Sequence, residues 1–349
     1  MSIDIRHVAR TLSAVENRKA EADDLLCRAY ALARAVPVIG LTGPPGAGKS
    51  TLLDLLALHW AEAGQRVAVV AIDPSSPYTG GAVLGDRFRM DRASAHANVF
   101  VRSLSSRGHV GGLSRAVQDI VTVLGALDFD RVVVETVGSG QSDIEVAQLA
   151  DCVVVVSVPG LGDQMQAAKA GILEIGDLYA VNKCDLPGAE SVVGHLQANL
   201  DLIYPGQGGV NAASTPAQGV LAANTALHQR HGAAQQGASF WRPPVLRVAA
   251  RQGSGVAELA HACDDFLAWQ RDSGRAPERR AERRRQHVLR LLTARLLQVG
   301  RGEPLQVALQ AQSQTLAGGR CTPEQAADAV LDELCAAWIQ SRSTPPQNP

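Results

Sequence analysis

The sequence has few aromatic residues and almost no net charge. Aromatic residues make up 4% of the 349 positions, which leaves little for a surface that stacks nucleic-acid bases. The 33 lysines and arginines are balanced by 34 aspartates and glutamates, so the formal net charge is −1. Such a chain lacks the basic excess that is typical of proteins that coat nucleic acids, and we expect no nucleic-acid partner.

Cysteines are scattered, and long apolar runs are missing. The six cysteines include no CxxC pair, a usage typical of reduced, mostly buried thiols in a reducing compartment. No run approaches the roughly 18–20 apolar residues that a membrane span needs. The first residues, MSIDIRHVARTL, lack the apolar centre of a signal peptide. We therefore expect a cytoplasmic protein without a membrane partner.

Short β-branched runs alternate with helical stretches through the middle of the chain. The runs show little alternation of apolar and polar residues, which is typical of parallel strands that are covered on both faces. The pattern predicts an α/β fold in which a mostly parallel sheet carries helices on both faces. The predicted strands are Val38–Thr42, Val67–Ile72, Val99–Arg102, Val132–Thr136, Val153–Val158, Leu178–Asn182 and Val245–Val248.

Polar, acidic or turn-forming residues follow almost every predicted strand. Ligands of parallel sheets bind beyond the carboxyl ends of the strands. We therefore expect one site to gather Gly43, Asp73, Arg102, Glu135, Pro159 and Asn182.

The chain divides into three predicted regions. Residues 1–35 carry apolar positions at helical spacing and are interpreted as a helical extension. Residues 36–270 hold the α/β domain, with an irregular insertion at about residues 205–240. Residues 271–349 are predicted to be a helical dimerisation region, because an apolar stripe outside a complete α/β unit needs a surface to pack on. That surface belongs either to the same chain or to a second subunit.

Two features of the C-terminal region have specific interpretations. Seven arginines fall between residues 271 and 285, against three acidic residues. This stretch is either a solvated helix face or a contact with an acidic partner. Thr322 followed by Pro323 predicts the capped start of a last helix, whose apolar stripe is Ala327, Val330, Leu331, Leu334 and Trp338.

The strongest motif is a glycine-rich phosphate loop. Residues 43–50 read GPPGAGKS, a complete GxxxxGK[ST] pattern between a predicted strand and a predicted helix. Its glycines let successive backbone N–H groups face phosphate oxygens, and the helix N-terminus adds a favourable dipole. Lys49 is expected to contact the β and γ phosphates, and Ser50 to ligate Mg²⁺. The nucleotide-binding residues predicted here are Gly43, Gly46, Ala47, Gly48, Lys49, Ser50 and Thr51.

A second motif predicts the base. Residues 182–185 read NKCD at the end of the sixth predicted strand. The carboxylate of Asp185 can accept hydrogen bonds from guanine N1–H and the exocyclic amine, whereas adenine offers no such donor pair. The motif therefore favours GTP over ATP, with Asn182, Lys183 and Asp185 at the nucleotide. Ala249 and Ala250 follow the last predicted strand, where a backbone N–H is expected to meet guanine O6. We call residues 248–251 the guanine loop.

Carboxylates near the strand ends indicate a magnesium site. Asp73 and Glu135 end neighbouring strands, and Asp86 lies between them along the chain. Such carboxylates suit Mg²⁺, which prefers oxygen ligands; the alternative is helix capping or surface charge. The sequence ETVG then places the N–H of Gly138 toward the γ-phosphate, a contact that GDP cannot make. Gly138 is therefore a candidate switch residue.

Taken together, these motifs resemble the MeaB-type GTPases, also labelled ArgK-like, which are chaperones of adenosylcobalamin-dependent acyl-CoA mutases. Phosphate loops and NKxD motifs are common to GTPases, whereas the DPSSPYTGG and ETVGSGQSD segments are much more particular. The resemblance covers about residues 38–186 through GPPGAGKST, AIDPSSPYTGGAVLGDR, RSLSSRGHVGGL, ETVGSGQSD, PGLGDQMQAAKAGI and NKCD.

The resemblance implies a homodimeric P-loop GTPase that guards delivery of adenosylcobalamin to a mutase and ejects damaged cofactor. We therefore expect the cobalamin to belong to the mutase, and this chain to bind GTP or GDP with Mg²⁺. On the family pattern Asp73, Asp86 and Glu135 form the magnesium shell. A third switch that meets the mutase and promotes hydrolysis contains Asp163, Gln166 and Lys169.

The chain departs from the family pattern at three positions. Asp143 replaces the usual glutamate after GQS, Ser139 the usual valine, and Ala249 a usual serine in the guanine loop. Ser139 also stands where Ras-like GTPases carry the glutamine that orients water, so hydrolysis is expected to be slow alone and stimulated by the mutase. The catalytic residues expected here are Lys49, Glu135, Asp163, Gln166 and Lys169.

Two alternative functions stay open from the sequence. One is a metallochaperone GTPase for metal-enzyme maturation, which would need a His-rich tract or clustered Cys and His residues. The other is a kinase of a transport binding protein, which the NKCD motif disfavours. The histidines, for example His96, His109 and His195, lack ligand spacing.

Overall fold

The computed structural model describes most of the chain. It covers residues 3–32, 35–73, 90–105, 112–136, 146–160, 175–204, 240–299, 303–317 and 322–343. The chain forms two compact units, residues 1–283 and residues 284–349. The phosphate loop and the NKCD motif both belong to the first unit.

A parallel sheet of seven strands is the centre of the first unit. Every strand pairs in parallel with its neighbours in the order β3-β2-β4-β1-β5-β6-β7. All residues of β1, β4, β5 and β6 are buried, as expected of strands covered on both faces. The predicted fold class is confirmed. The strands are β1 Val38–Thr42, β2 Val67–Asp73, β3 Val99–Ser105, β4 Arg131–Glu135, β5 Cys152–Ser157, β6 Leu178–Val181 and β7 Val245–Arg247.

Helices cover both faces of the sheet and form one hydrophobic core on each. One core contains residues of α1, α2, α5 and α6, and the other contains residues of α3, α4 and α7. The second unit holds the end of α8 together with α9 and α10. The helices are α1 Ile5–Glu16, α2 Ala22–Leu32, α3 Lys49–Glu62, α4 Asp91–Ser94, α5 Gly112–Ala126, α6 Ala189–Ile203, α7 Val256–Asp272, α8 Arg275–Val299, α9 Glu303–Ala317 and α10 Pro323–Ser343.

The N-terminal helices α1 and α2 pack into the hydrophobic core on one face of the sheet. Leu12 of α1 is fully buried in the core that also contains Phe100 and Phe129. Arg18 after α1 forms a 2.7 Å ion pair with the buried carboxylate of Asp119 on α5. Burial of Tyr30 on α2, also beside Asp119, raises the pKa of its hydroxyl. The predicted extension is therefore integrated into the core of the first unit.

Arg102 does not join the site at the carboxyl ends of the strands, and that expectation is wrong. The strand β3 continues to Ser105, so Arg102 lies in its middle. Its guanidinium forms an ion pair with Glu16 and donates a 3.1 Å hydrogen bond to the Ser13 hydroxyl, both on α1. Arg102 therefore attaches the first helix to the sheet. Local sequence patterns could not reveal these partners, which lie 86 and 89 positions away in the chain.

The carboxylate and the carbonyl of the buried residue Asp151 bind arginines at the start of α8. Asp151 precedes β5, and its Oδ2 accepts a 2.9 Å hydrogen bond from the Val38 N–H at the start of β1. The Arg283 guanidinium pairs with Asp151 Oδ1, and Arg279 donates a 3.1 Å hydrogen bond to the Asp151 carbonyl. Arg280 Nε also lies 3.7 Å from Asp151 Oδ1, so the acidic partner of Arg280 and Arg283 lies in the same chain.

The last helix begins as the sequence predicts. The Thr322 hydroxyl accepts a 3.2 Å hydrogen bond from the Gln325 N–H, and the Gln325 side chain accepts a 2.9 Å hydrogen bond from the Thr322 N–H. These reciprocal bonds form a capping box. Of the predicted apolar stripe, Val330 is buried while Leu331 is 51% exposed. The dimerisation role of residues 271–349 stays a prediction.

None of the helices in the described ranges combines the length and the apolar character that crossing a membrane requires.

We expect Asp151→Asn to destabilise the first unit. An amide has one acceptor oxygen and a nitrogen that only donates, so either the Val38 N–H or the Arg283 guanidinium loses its buried partner, at a cost of about 3–5 kcal/mol. Urea denaturation followed by circular dichroism measures the loss. Glu190→Gln is the control, because it removes the charge from an ion pair on the surface and should shift the urea midpoint far less. Equal shifts in the two variants would contradict a buried role for Asp151.

Candidate nucleotide site

The phosphate loop lies between β1 and α3, and two of its glycines have no room for a side chain. A Cβ on Gly43 would lie 2.2 Å from the Val156 carbonyl oxygen on β5. A Cβ on Gly48 would lie 2.5 Å from the Asn182 amide nitrogen, and Gly48 has a φ of 82°. Only glycine satisfies both the close approach and the left-handed backbone at Gly48.

The Lys49 ammonium is held inside this loop. Its Nζ donates hydrogen bonds of 2.8 Å to the Gly43 carbonyl and 3.1 Å to the Pro44 carbonyl. The first backbone N–H groups of α3, which begins at Lys49, have no partners within the helix and carry the positive end of its dipole. A buried ammonium beside a helix N-terminus is suited to bind a phosphate chain.

Asn182 connects the phosphate loop with the guanine loop. Its Nδ2 donates a 2.8 Å hydrogen bond to the Ala47 carbonyl, and its Oδ1 accepts a 3.1 Å hydrogen bond from the Ala250 N–H. Lys183 donates a further 2.9 Å hydrogen bond to the Gly46 carbonyl. The sequence predicts Asn182 and Lys183 as nucleotide contacts, and the structure adds that both residues fix the position of the phosphate loop.

The backbone next to Asp185 is bonded to the loop after β7. Asp185 is exposed, while the preceding Cys184 N–H donates a 3.0 Å hydrogen bond to the Val248 carbonyl. The Ala249 N–H donates to the Ser254 carbonyl at 3.0 Å, and the Ala250 N–H to Asn182 as above. Both amide groups thus have partners in the chain, and their contact with guanine O6 stays a prediction.

An exposed ion pair lies at the edge of the guanine loop. Arg247, the last residue of β7, donates hydrogen bonds of 2.9 and 2.7 Å to the two carboxylate oxygens of Glu190 on α6. These bonds hold the pKa of Glu190 below its usual value. The pair joins the end of β7 to the first turn of α6, which follows the NKCD motif.

Ser50 and Glu135 supply oxygen atoms suited to magnesium. The Ser50 hydroxyl at the start of α3 donates a 2.8 Å hydrogen bond to Glu135 Oε1, and Glu135 is 6% exposed at the end of β4. Asp73 is the last residue of the neighbouring strand β2. A hydroxyl and a carboxylate that already touch fit the octahedral oxygen shell of Mg²⁺, in which waters complete the coordination.

Several predicted site residues lie outside the described residues. They are Asp86 of the magnesium shell, Gly138 of the candidate switch, and Asp163, Gln166 and Lys169 of the third switch. Their roles stay predictions, as do those of Ser139 and Asp143.

The parallel sheet carries a phosphate loop between a strand and a helix, and Asn182 of the NKxD motif bonds to that loop. These features define a P-loop GTPase. The sequence model of the family described as "Methylmalonyl Co-A mutase-associated GTPase MeaB" matches residues 8–304. The chain belongs to this family, and it is a GTPase. The family resemblance in the sequence is thereby confirmed.

Similar proteins support this assignment. A putative GTPase of Pyrococcus abyssi is 36% identical over 341 residues, which cover 96% of this chain and 95% of that protein. The "Methylmalonic aciduria type A homolog, mitochondrial" of Mus musculus is 31% identical over 294 residues, 84% of this chain and 64% of that protein. A crystal structure of "LAO/AO transport system kinase" has a TM-score of 0.66 at 23% identity and covers 97% of this chain and 94% of its own, which shows the shared fold.

We expect Gly48→Ala to weaken GTP binding far more than Gly46→Ala. Both glycines have positive φ values, 82° and 77°, so each alanine bears a backbone strain of about 1–2 kcal/mol. Only the alanine at Gly48 also collides with the Asn182 amide, since nothing lies within 4 Å of a Cβ on Gly46. Calorimetric titration with GTP measures both affinities, with a further loss of about tenfold or more expected at Gly48. Equal losses would show that the contact with Asn182 is unimportant.

Proposed function

We propose that this GTPase serves an adenosylcobalamin-dependent acyl-CoA mutase. It binds the mutase and uses GTP hydrolysis to gate loading, protection and reactivation of the mutase's cofactor. The observation that carries the proposal is the match of residues 8–304 to a family described as associated with methylmalonyl-CoA mutase. The name of the mouse relative, which refers to methylmalonic aciduria, points to the same acid.

The geometry of the loops supports the nucleotide contacts in this proposal. The Lys49 ammonium binds the β and γ phosphates, and the backbone N–H groups of residues 46–51 bind the remaining phosphate oxygens. Asp185 is exposed and accepts the N1–H and amine hydrogens of guanine. GTP and GDP are thereby selected over adenine nucleotides, whose base lacks this pair of donors.

Magnesium would be held at the carboxyl ends of β2 and β4. Ser50, Asp73, Asp86 and Glu135 are its proposed ligands, directly or through water. When bound, the ion neutralises charge that develops on the transferring phosphate. Glu135 contributes in a second way, because its contact with Ser50 orients the hydroxyl at the first turn of α3.

The mutase would complete the catalytic site. Ser139 cannot orient water as a glutamine does, so the isolated chain hydrolyses GTP slowly. Asp163, Gln166 and Lys169 respond to the mutase and place the charge that the transition state requires, an effect that can be worth roughly 10³–10⁵ in rate. In this proposal the protein acts as a cytoplasmic homodimer through residues 271–349, and the cobalamin stays on the mutase.

We expect Asp185→Asn to exchange the base preference. The amide replaces one acceptor with a donor facing guanine N1–H, so GTP affinity should fall by about 1–3 kcal/mol or more. Xanthosine triphosphate should regain affinity, because its O2 accepts where guanine donates. Competition binding with both nucleotides measures the exchange, and Asp24→Asn, an exposed aspartate on α2, is the control. Equal binding of ATP and GTP by the unaltered protein would contradict the role of Asp185.

We expect a cognate mutase to accelerate GTP hydrolysis. Steady-state phosphate release is measured with and without a purified adenosylcobalamin-dependent acyl-CoA mutase from the same source. The ratio of the two rates should be well above one for the unaltered chain. It should fall toward one when Gln166→Ala and Lys169→Ala are combined, because the partner then lacks its responsive groups.

Two lysine variants test whether the measured hydrolysis comes from the proposed nucleotide site. Lys49→Ala should nearly abolish hydrolysis under both conditions, because it removes the charge at the phosphates. Lys19→Ala, an exposed lysine after α1, should behave as the unaltered chain. If no such mutase changes the rate, the chaperone proposal is wrong; a ratio that survives in the double variant excludes only the roles of Gln166 and Lys169.

A further inference from the structure

The geometry points to a second metal site, formed by His59 and His261 away from the nucleotide. We propose that this pair binds a divalent transition ion of the Zn²⁺ or Ni²⁺ class. His59 lies in the last turn of α3 and His261 in α7. Their ring centroids are 6.0 Å apart, with an angle of 73° between the ring planes. The two residues are 202 positions apart in the chain, so sequence spacing could not reveal the pair.

The hydrogen bond of His261 prepares its ring for a metal. Its Nδ1 lies 2.8 Å from the Ala257 carbonyl oxygen. A carbonyl oxygen only accepts, so in the neutral imidazole Nδ1 carries the hydrogen and Nε2 has the lone pair. Metal-binding histidines are typically oriented in this way, with the second nitrogen donating to a carbonyl or carboxylate. Nε2 of His261 is thus set up as a ligand.

The separation of the rings fits a shared ion. Zinc lies about 2.0–2.1 Å from each ligating imidazole nitrogen, which places the centroids of two such rings about 5–6 Å apart. The observed separation of 6.0 Å lies at the upper end of this range. His59 is half-buried and His261 is exposed, so an ion can enter from solvent.

The surroundings of the pair favour a cation. His59 lies at the C-terminal end of α3, where the helix dipole is negative. The exposed residues Glu258 and Asp265 lie three positions before and four after His261, and therefore on the same side of α7. The proposed shell consists of the two imidazole nitrogens and water.

This site is distinct from the proposed magnesium site in place and in chemistry. His59 follows Lys49 by ten positions on α3, which corresponds to about 15 Å along the helix axis. Imidazole ligands suit zinc, nickel and copper ions, whereas magnesium prefers oxygen. A saturating concentration of Mg²⁺ should therefore fill the nucleotide site and leave the histidine pair available.

An ion shared by the two rings would connect α3 to α7. The helix α3 begins at the phosphate loop, and α7 follows the guanine loop. The ion would therefore connect the C-terminal turn of α3 to α7. Because it binds the folded chain, the ion should raise the temperature of unfolding.

The test uses the full chain with Mg²⁺ and GDP in excess, titrated with ZnCl₂ or NiCl₂. Equilibrium dialysis gives the stoichiometry and affinity, and thermal unfolding gives the stabilisation. We expect one ion per chain bound at this site below millimolar concentration, and a rise of several degrees in the unfolding temperature. His59→Ala and His261→Ala should each weaken binding at this site at least tenfold and remove the shift. His195→Ala, an exposed histidine on α6, should retain both.

Further variants keep the result interpretable if alanine disturbs the fold. His59→Gln and His261→Gln preserve side-chain volume and should also lose the ion, with unchanged circular dichroism. Cu²⁺ provides a spectroscopic readout, because two coordinated nitrogens give a characteristic superhyperfine pattern in electron paramagnetic resonance. The proposal is overturned if the unaltered chain binds neither Zn²⁺ nor Ni²⁺ below millimolar concentration. It is equally overturned if the double variant keeps the same stoichiometry and shift.

Discussion

The side-chain amide of Asn182 is the connection on which the nucleotide site depends. It donates to the Ala47 carbonyl of the phosphate loop and accepts from the Ala250 N–H of the guanine loop. An aspartate would direct a carboxylate at the Ala47 carbonyl, and an alanine would leave two buried backbone groups unsatisfied. The same amide explains Gly48, since a Cβ there would lie 2.5 Å from its nitrogen. One side chain thus positions the phosphate and base loops relative to each other.

Local patterns in the sequence predict much of the fold. Short apolar runs identify all seven strands, the GxxxxGK[ST] pattern identifies the turn into α3, and Thr322 identifies the start of α10. Each of these signals comes from residues that are close neighbours in the chain. The motifs also predict Lys49, Ser50 and Glu135 as members of one site, and the structure brings Ser50 and Glu135 into contact.

Long-range partners could not be predicted in this way. Arg102 follows a predicted strand end, yet its partners are on α1. The arginines of α8 are indistinguishable in sequence from a solvated face, yet Arg279 and Arg283 contact Asp151. In each case the deciding interaction is a polar contact of an arginine with a distant segment of the chain. Periodicity indicates which face of an element is apolar, but it does not indicate which opposite charge the fold will bring there.

The contacts of Lys49 bear on what its substitution would change. Lys49 is 6% exposed, and a buried ammonium without partners would be unstable by several kcal/mol. The carbonyls of Gly43 and Pro44, at 2.8 and 3.1 Å, accept its hydrogen bonds. The side chain therefore ties the two ends of its own loop together. Removing it alters the shape of the loop as well as its charge, so the loop and its lysine act as one unit.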